Sequence, residues 1–292
     1  MKTTSLFILA LAIFLIKCTP APIAITIKDA EPQIAVSSTA LDSKTVMVIA
    51  SYSIFSLTNL NYSGNGYSPA IPNGILVDSA LVTISDGAKI DTLEKVYPGV
   101  YLNTGFNLKT GLQYLLTVND TLKKRKVVAN TTYFDAAAAN EILPVVTKKT
   151  TDTTIQLKMV LSDNAATINY YVMAYDRINP SKVPSPVNSA NFSIVNIDAV
   201  KKIEVFSSAE AVNGTITKTF DIIDIHATDT LFVHYGKIDR GYFNYLSSYK
   251  KTGSLINQIT AEPITLPTNI VTGLGYFALY NVQRTVFDLK KY

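Results

Sequence analysis

Leu81-Val82-Thr83-Ile84-Ser85-Asp86-Gly87 is a strand-length apolar run closed by Asp-Gly. That pair reverses a chain readily between antiparallel strands, because both residues tolerate positive φ. Similar stretches lie on both sides: Gln33 to Ser37, Thr45 to Tyr52 and Ala80 to Ser85, then Val100 to Asn103, Gln113 to Val118 and Lys126 to Thr132. Pro98-Gly99 and Lys109-Thr110-Gly111 mark further turns between them. Short apolar or alternating runs at this spacing predict a small antiparallel sandwich. The seventeen Tyr, the absence of Trp and the many Thr and Val residues lean the same way, since aromatic and β-branched side chains suit a pleated, half-buried surface.

Between the second and third runs, Asn59 to Asn73 carries Asn, Ser, Gly, Tyr and Pro without periodicity. A loop of that length is uncommon unless it binds something or merely connects. Tyr62, Gly64, Asn65, Gly66 and Tyr67 make it the candidate ligand or partner loop. The strand rhythm breaks at Phe134-Asp135-Ala136-Ala137-Ala138-Ala139-Asn140-Glu141, and Pro144 follows. The expected organisation is therefore a first domain over 33–135 and a second β-rich domain over 142–292, as a chain of 292 residues usually divides.

The second half resumes with Thr154 to Leu161 and Thr167 to Tyr175, then a Pro-rich connector. Strands are expected at Asn191 to Ile197, Lys202 to Phe206, Ile216 to Ile223, Thr230 to Tyr235, around Gly273 to Phe277 and at Thr285 to Phe287. One helix signal stands out near 239–252. Asp239 is a plausible N-cap, Ile238, Tyr242, Tyr245, Leu246 and Tyr249 share one face, and Gly253 lies past the end. The tyrosine stripe reads as core packing. The predicted class is all-β and mainly antiparallel, with the second domain a β-sandwich or open barrel carrying that helix.

At the amino terminus, Leu6 to Ile16 is an unbroken apolar run after Lys2. It has the length of a signal-peptide core and is short for a bilayer span. The expected division is a signal peptide over 1–17, then a lipidated cysteine and tether over 18–32. Cys18 is the single cysteine, so an exported chain has no internal disulfide to make with it. Its position just after Leu15-Ile16 resembles the lipobox of bacterial lipoproteins, in which the cysteine is acylated. Lys17 stands where that pattern normally holds Gly, Ala or Ser.

Composition excludes some classes. Charged residues make up 16% and apolar ones 48%, which suits a folded core and not a disordered chain. Of the formal +4 charge, Lys2 and Lys17 belong to the leader. The only basic run, Lys123-Lys124-Arg125-Lys126, reads as a solvated hairpin tip rather than a nucleic-acid stripe. His226 and His234 are the two histidines, too few for a zinc site without further ligands. No Gly-x-Ser-x-Gly elbow or phosphate-cradling glycine loop is present. Paired acids such as Asp221 with Asp224, or Asp176 with Asp239, carry nothing that separates them from surface carboxylates. No cofactor, metal or catalytic residue is expected. Five tripeptides beginning at Asp78, Asp91, Asp120, Asp152 and Asp229 resemble a short bacterial O-glycosylation acceptor, and Asp-Thr is equally an ordinary strand entry.

Val82-Thr83-Ile84-Ser85-Asp86-Gly87, Pro98-Gly99-Val100-Tyr101, Gly111 to Val118, Pro267-Thr268-Asn269-Ile270 and Gly273-Leu274-Gly275-Tyr276-Phe277 occur in that order behind the lipobox-like leader. The chain thereby resembles the bacterial lipoprotein family catalogued as domain of unknown function 4249. The resemblance implies an outer-membrane lipoprotein associated with TonB-dependent transporters, with a first domain like the immunoglobulin-like or transthyretin-like modules that accompany them. It carries over no catalytic residues. No acidic run follows Cys18, so either face of the outer membrane stays open. The expected function is a non-catalytic accessory or binding lipoprotein, held to the membrane by a lipid and partnered with such a transporter. A structural or adhesive envelope protein is the alternative, and a hydrolase ranks behind it.

Overall fold

The computed structural model describes residues 31–53, 75–134, 142–148, 154–163, 167–178, 203–223, 225–226, 228–252 and 265–292. The leader, Cys18, the candidate loop and the strand expected at Asn191 to Ile197 lie outside these. The described chain is all-β and mainly antiparallel, with one α-helix. From Pro32 to Tyr292 it forms one compact unit.

The first sheet is built from β1 (Ile34–Ala40), β2 (Val46–Tyr52), β3 (Ala80–Ser85), β4 (Ile90–Tyr97), β5 (Val100–Asn103), β6 (Gln113–Asp120) and β7 (Arg125–Thr132), joined by β14 (Ile270–Val271) and β15 (Leu274–Tyr276). Its order is β14-β7-β6-β3-β4-β5-β2-β1-β15. Alternation decides which face is inside. Ile34, Val36 and Ala40 of β1, Tyr114, Leu116 and Val118 of β6, and Val127 and Ala129 of β7 all point into one core. Each large apolar side chain buried there contributes roughly 1.5–3 kcal/mol. The Asp86-Gly87 turn forms as its sequence requires. The Asp86 carboxylate accepts from the amides of Ala88 at 3.0 Å and Lys89 at 2.8 Å, and β3 pairs with β4 behind it.

Two strands carry no clear sequence signal. β4 buries only Leu93 fully, and its register shifts between Lys95 and Tyr97, so no period-2 pattern survives. β8 (Ile142–Lys148) contains Pro144, which argues against a central strand. It is an edge strand, where a missing amide donor is tolerated.

The second core lies between two sheets. β8, β9 (Thr154–Ser162) and β12 (Thr215–Ile223) form one, in the order β12-β9-β8. The other is β10 (Tyr170–Ile178), β11 (Ile203–Ser207), β13 (Thr230–Ile238) and β16 (Gln283–Asp288), in the order β11-β10-β13-β16. Leu157, Met159, Ile216 and Ile222 meet Tyr171, Met173, Leu231 and Val233. The chain crosses between layers at β9–β10, β11–β12 and β12–β13, a Greek-key habit shared with immunoglobulin-like sandwiches.

The connection from β13 to β16 leaves this sandwich. It first forms α1 (Arg240–Thr252), whose Tyr242, Tyr245 and Leu246 pack against Val172, Val205 and Tyr280. The tyrosine stripe is thus part of a core, with Tyr242 5.2 Å from Tyr276 and 5.9 Å from Tyr280 between ring centres. The chain then enters the first sheet. β14 pairs antiparallel with β7, Ile270 opposite Ala129, and β15 pairs parallel with β1, Val36 opposite Gly275. Only Thr272 and Gly273 separate the two strands, so one short segment joins both edges and leaves the sheet nearly closed like a barrel.

Side chains hold that segment. Asn269 donates to the carbonyls of Asn130 at 2.9 Å and Phe277 at 2.7 Å, and accepts from the Phe277 amide at 2.9 Å. The Ser38 hydroxyl donates to the Ala278 carbonyl at 3.0 Å and accepts from its amide at 2.9 Å. Phe277, Ala278 and Leu279 are buried as a result.

Gly275 has φ +87°, and a Cβ there would overlap the Val36 carbonyl. Gly87 has nearly the same φ, +88°, with open space around it. The left-handed backbone alone costs an alanine about 1–2 kcal/mol. Gly87→Ala should lose about that much in urea denaturation, and Gly275→Ala clearly more, because it also forces β15 away from β1. Equal losses would show that the closing segment does not constrain the barrel.

Candidate functional site

The β6–β7 hairpin has a built polar feature at each end. At its tip, Asp120 occupies the inward-facing parity of Tyr114, Leu116 and Val118 and is only 2% exposed. A carboxylate in that position needs donors. It receives one from the Tyr52 hydroxyl, one from Ser79 Oγ at 3.3 Å, and two from the backbone amides of Leu122 at 3.0 Å and Lys123 at 3.2 Å. Burial pushes the Asp120 carboxyl up, but the bonds from Tyr52, Lys123, Leu122 and Ser79 outweigh it and hold it below the usual carboxylate value. Burial, with the Asp120 hydrogen bond and charge, raises the Tyr52 phenol well above its ordinary value. Lys123 Nζ lies 3.7 Å from the centre of the Tyr52 ring, a cation–π contact.

This cluster sits beneath the stem of the candidate loop. The Tyr52 amide donates to Ile75 at 2.6 Å, Val77 to Ala50 at 3.1 Å, and Ser53 to Gln33 at 2.8 Å. Tyr62, Gly64, Asn65, Gly66 and Tyr67 themselves fall outside the described residues. Of the basic run, Lys123 and Lys124 lie in the hairpin turn and Arg125 and Lys126 open β7, with Lys123 on Tyr52 and Arg125 donating to the Pro32 carbonyl.

At the open end of the same hairpin lies a recess of about 240 Å³, lined by Gln113, Asn130, Thr131, Thr132, Phe134, Asp239, Asn269 and Tyr276. Asp239 caps α1: its Oδ1 accepts from the Tyr242 amide at 2.8 Å and from the Tyr276 hydroxyl at 3.1 Å. Gly241 makes that approach sterically open, because a Cβ there would overlap the Tyr276 hydroxyl. Burial, reinforced by the Asp239 carboxylate, keeps the Tyr276 phenol protonated far above neutral pH. Behind it, burial pushes the Tyr280 phenol up to about 12. Among the described residues the recess therefore offers amides, hydroxyls, one carboxylate and two aromatic rings, and no Lys, Arg, His or Cys lines it.

The remaining candidates are scattered. His234 sits mid-strand opposite Ala174 and Arg284. Burial lowers its imidazole, with Asp176 opposing and Arg284 reinforcing. His226 lies in a separate turn, its amide donating to Asp229 at 2.9 Å. Asp221 accepts from Gln156 at 3.3 Å, while Asp224 is outside the described residues. Among the described residues no three His, Cys, Asp or Glu stand close enough to hold a metal ion. Of the Asp-Ser/Thr tripeptides, the one at Asp152 is not described; Asp120 and Asp229 are buried, and Asp78 pairs with Lys95 at 3.0 Å.

Neither the Asp120 cluster nor the recess stood out from the sequence. Asp120 had a usable signal, a polar residue on the buried parity of an alternating strand. The recess had none, because its residues come from three distant stretches.

Residues 21–285 match a family model described as "Domain of unknown function (DUF4249)". No curated protein matches the chain. A solved structure titled "Cytokine receptor complex - Crystal form 1A" aligns over 86% of this chain and 94% of its own, at 8% identity and a TM-score of 0.25. A likeness that faint carries no argument.

Because the folded Asp120 carboxyl lies below its unfolded value, its contribution to stability is complete above the unfolded pKa and disappears as pH falls through the folded one. Tyr52→Phe removes one donor from this buried group and should cost about 1–3 kcal/mol at neutral pH. It should also move the carboxyl titration, followed by NMR, to higher pH. An unmoved Asp120 titration would count against the Tyr52 bond as its anchor.

Proposed function

We propose, from the premise that the chain belongs to the family described as domain of unknown function 4249, that it is a non-catalytic lipoprotein of the cell envelope. In this reading it is a binding or accessory protein of the outer membrane, working beside a TonB-dependent transporter. The observation that carries it is the position of Cys18, separated only by Lys17 from the end of the apolar run Leu6 to Ile16. An acyl chain there would add roughly 0.8 kcal/mol of membrane affinity per buried CH₂, and more than one chain makes the anchoring durable. The stretch between Cys18 and Pro32 serves as tether.

The contact surface fits the loop whose stem rests on Tyr52 and Asp120. A loop anchored at both ends by backbone hydrogen bonds presents a binding surface with less ordering cost than a free one. The described side chains favour recognition over chemistry, since the recess at the open end of the β6–β7 hairpin is lined by amides, hydroxyls and a carboxylate already engaged as a helix cap.

Native protein extracted from membranes should carry an acylated Cys18 by mass spectrometry and should co-purify with a transporter. Cys18→Ser should shift the protein into the soluble fraction with its fold intact. An unmodified amino terminus and no partner would leave a structural or adhesive envelope protein as the better account.

A further inference from the structure

We propose that the recess at the open end of the β6–β7 hairpin binds a neutral, hydroxyl-rich ligand, the terminal ring of a saccharide being the class that fits. This deepens the binding role above and rests on it in one respect, that the ligand is held and not transformed. The argument begins with which polar atoms are already engaged. Asn269 is committed to Asn130 and Phe277, and the Tyr276 hydroxyl to Asp239. The side chains of Gln113, Asn130 and Thr132, and the second oxygen of Asp239, make no hydrogen bond to any described residue. They converge on one recess from the ends of β6 and β7 and from the start of α1.

Their chemistry narrows the occupant. Among the described residues no cationic side chain lines the recess, and Asp239 is acidic, so phosphate, sulfate and carboxylate groups meet no counter-charge from them. Among the described residues a metal ion would find a single carboxylate there, whereas hard cations take six or more oxygens. What remains is a ligand that donates to a carboxylate and both donates to and accepts from amides and hydroxyls. Vicinal hydroxyls on a ring do this in pairs. The half-buried Phe134 ring supplies apolar surface for the C–H face of such a ring. At about 240 Å³ the recess falls below the ~300–1,000 Å³ of sites that engulf drug-sized ligands. It takes one ring and leaves the rest of a chain in solvent, which predicts weak, roughly millimolar affinity for a monosaccharide.

The test is saturation-transfer NMR and calorimetric titration of the full-length, detergent-solubilised protein. The probes are glucose, galactose, mannose and maltose, with inorganic phosphate and free lysine as the anionic and cationic controls. Gln113 and Asn130 are exposed and their side chains hold no other described residue in place, so Gln113→Ala and Asn130→Ala should leave the melting temperature unchanged. Each should weaken saturable saccharide binding roughly tenfold. Thr132→Val, nearly isosteric, should weaken it less. Saturation by phosphate or lysine alone, by no saccharide, or by a saccharide that binds both alanine variants as well as the wild type, would overturn the proposal. A saccharide bound and recovered unchanged supports it. Recovery of a cleaved saccharide would sink the non-catalytic reading while leaving the ligand class intact, and acylation of Cys18 is decided separately.

Discussion

Between Asn269 and Asn281 the chain lies between the two edges of the first sheet and pairs with part of each. β14 takes up the edge of β7, and β15 that of β1. Beyond them, the Phe134 amide donates to Leu279 at 3.3 Å and the Asn281 amide to Phe134 at 2.8 Å. An open sheet of seven strands would present two rows of unpaired amides and carbonyls, and unpaired edges invite association with other chains. The closing segment covers part of each edge, Val128 and Ala129 of β7 and Ala35 to Ser37 of β1. It also buries Ile270, Phe277 and Leu279 within the core that β1 to β7 create.

Because this segment is an excursion from the β13–β16 connection, the two cores are tied by topology as well as by contact. β16 completes the second sandwich only after the chain has closed the first sheet. The polar site at the junction follows from the same route. Asp239 starts α1 where the chain leaves β13, and Tyr276 ends β15 where it has crossed the barrel. Their hydrogen bond, with the Tyr242, Tyr245 and Tyr276 rings packed around it, fixes the helix against the closing segment. Gly236 shows how closely the elements approach: a Cβ there would come within 2.7 Å of the Tyr280 ring.

The two polar features differ in what they do for the molecule. The Asp120 cluster resolves a local problem, a carboxylate on the inward parity of a strand, and in doing so holds the stem of the loop after Tyr52. Its donors are inward-looking and fully engaged. The recess is the reverse: its Gln113, Asn130 and Thr132 side chains face outward and make no hydrogen bond within the described protein. A fully satisfied cluster gives rigidity, and an unsatisfied but solvated one leaves its hydrogen bonds to a ligand.

Sequence alone determined the β class, most strands and the helix, because alternation, turn pairs such as Asp86-Gly87 and the Asp239 cap are local properties. It also identified Pro267 to Ile270 and Gly273 to Phe277 as characteristic of the family. It did not say why those residues are needed. Asn269 mimics a backbone partner for β7, and Gly275 passes against Val36, relations between residues more than a hundred positions apart. β4 and β8 escaped for a related reason: a bulge and an edge position excuse a strand from the usual pattern. The recess was decided by tertiary structure altogether. Gln113, Asn130, Asp239 and Tyr276 each read as ordinary polar or aromatic residues until sheet closure brings them to one place, and closure depends on long-range pairing that no local window of sequence contains.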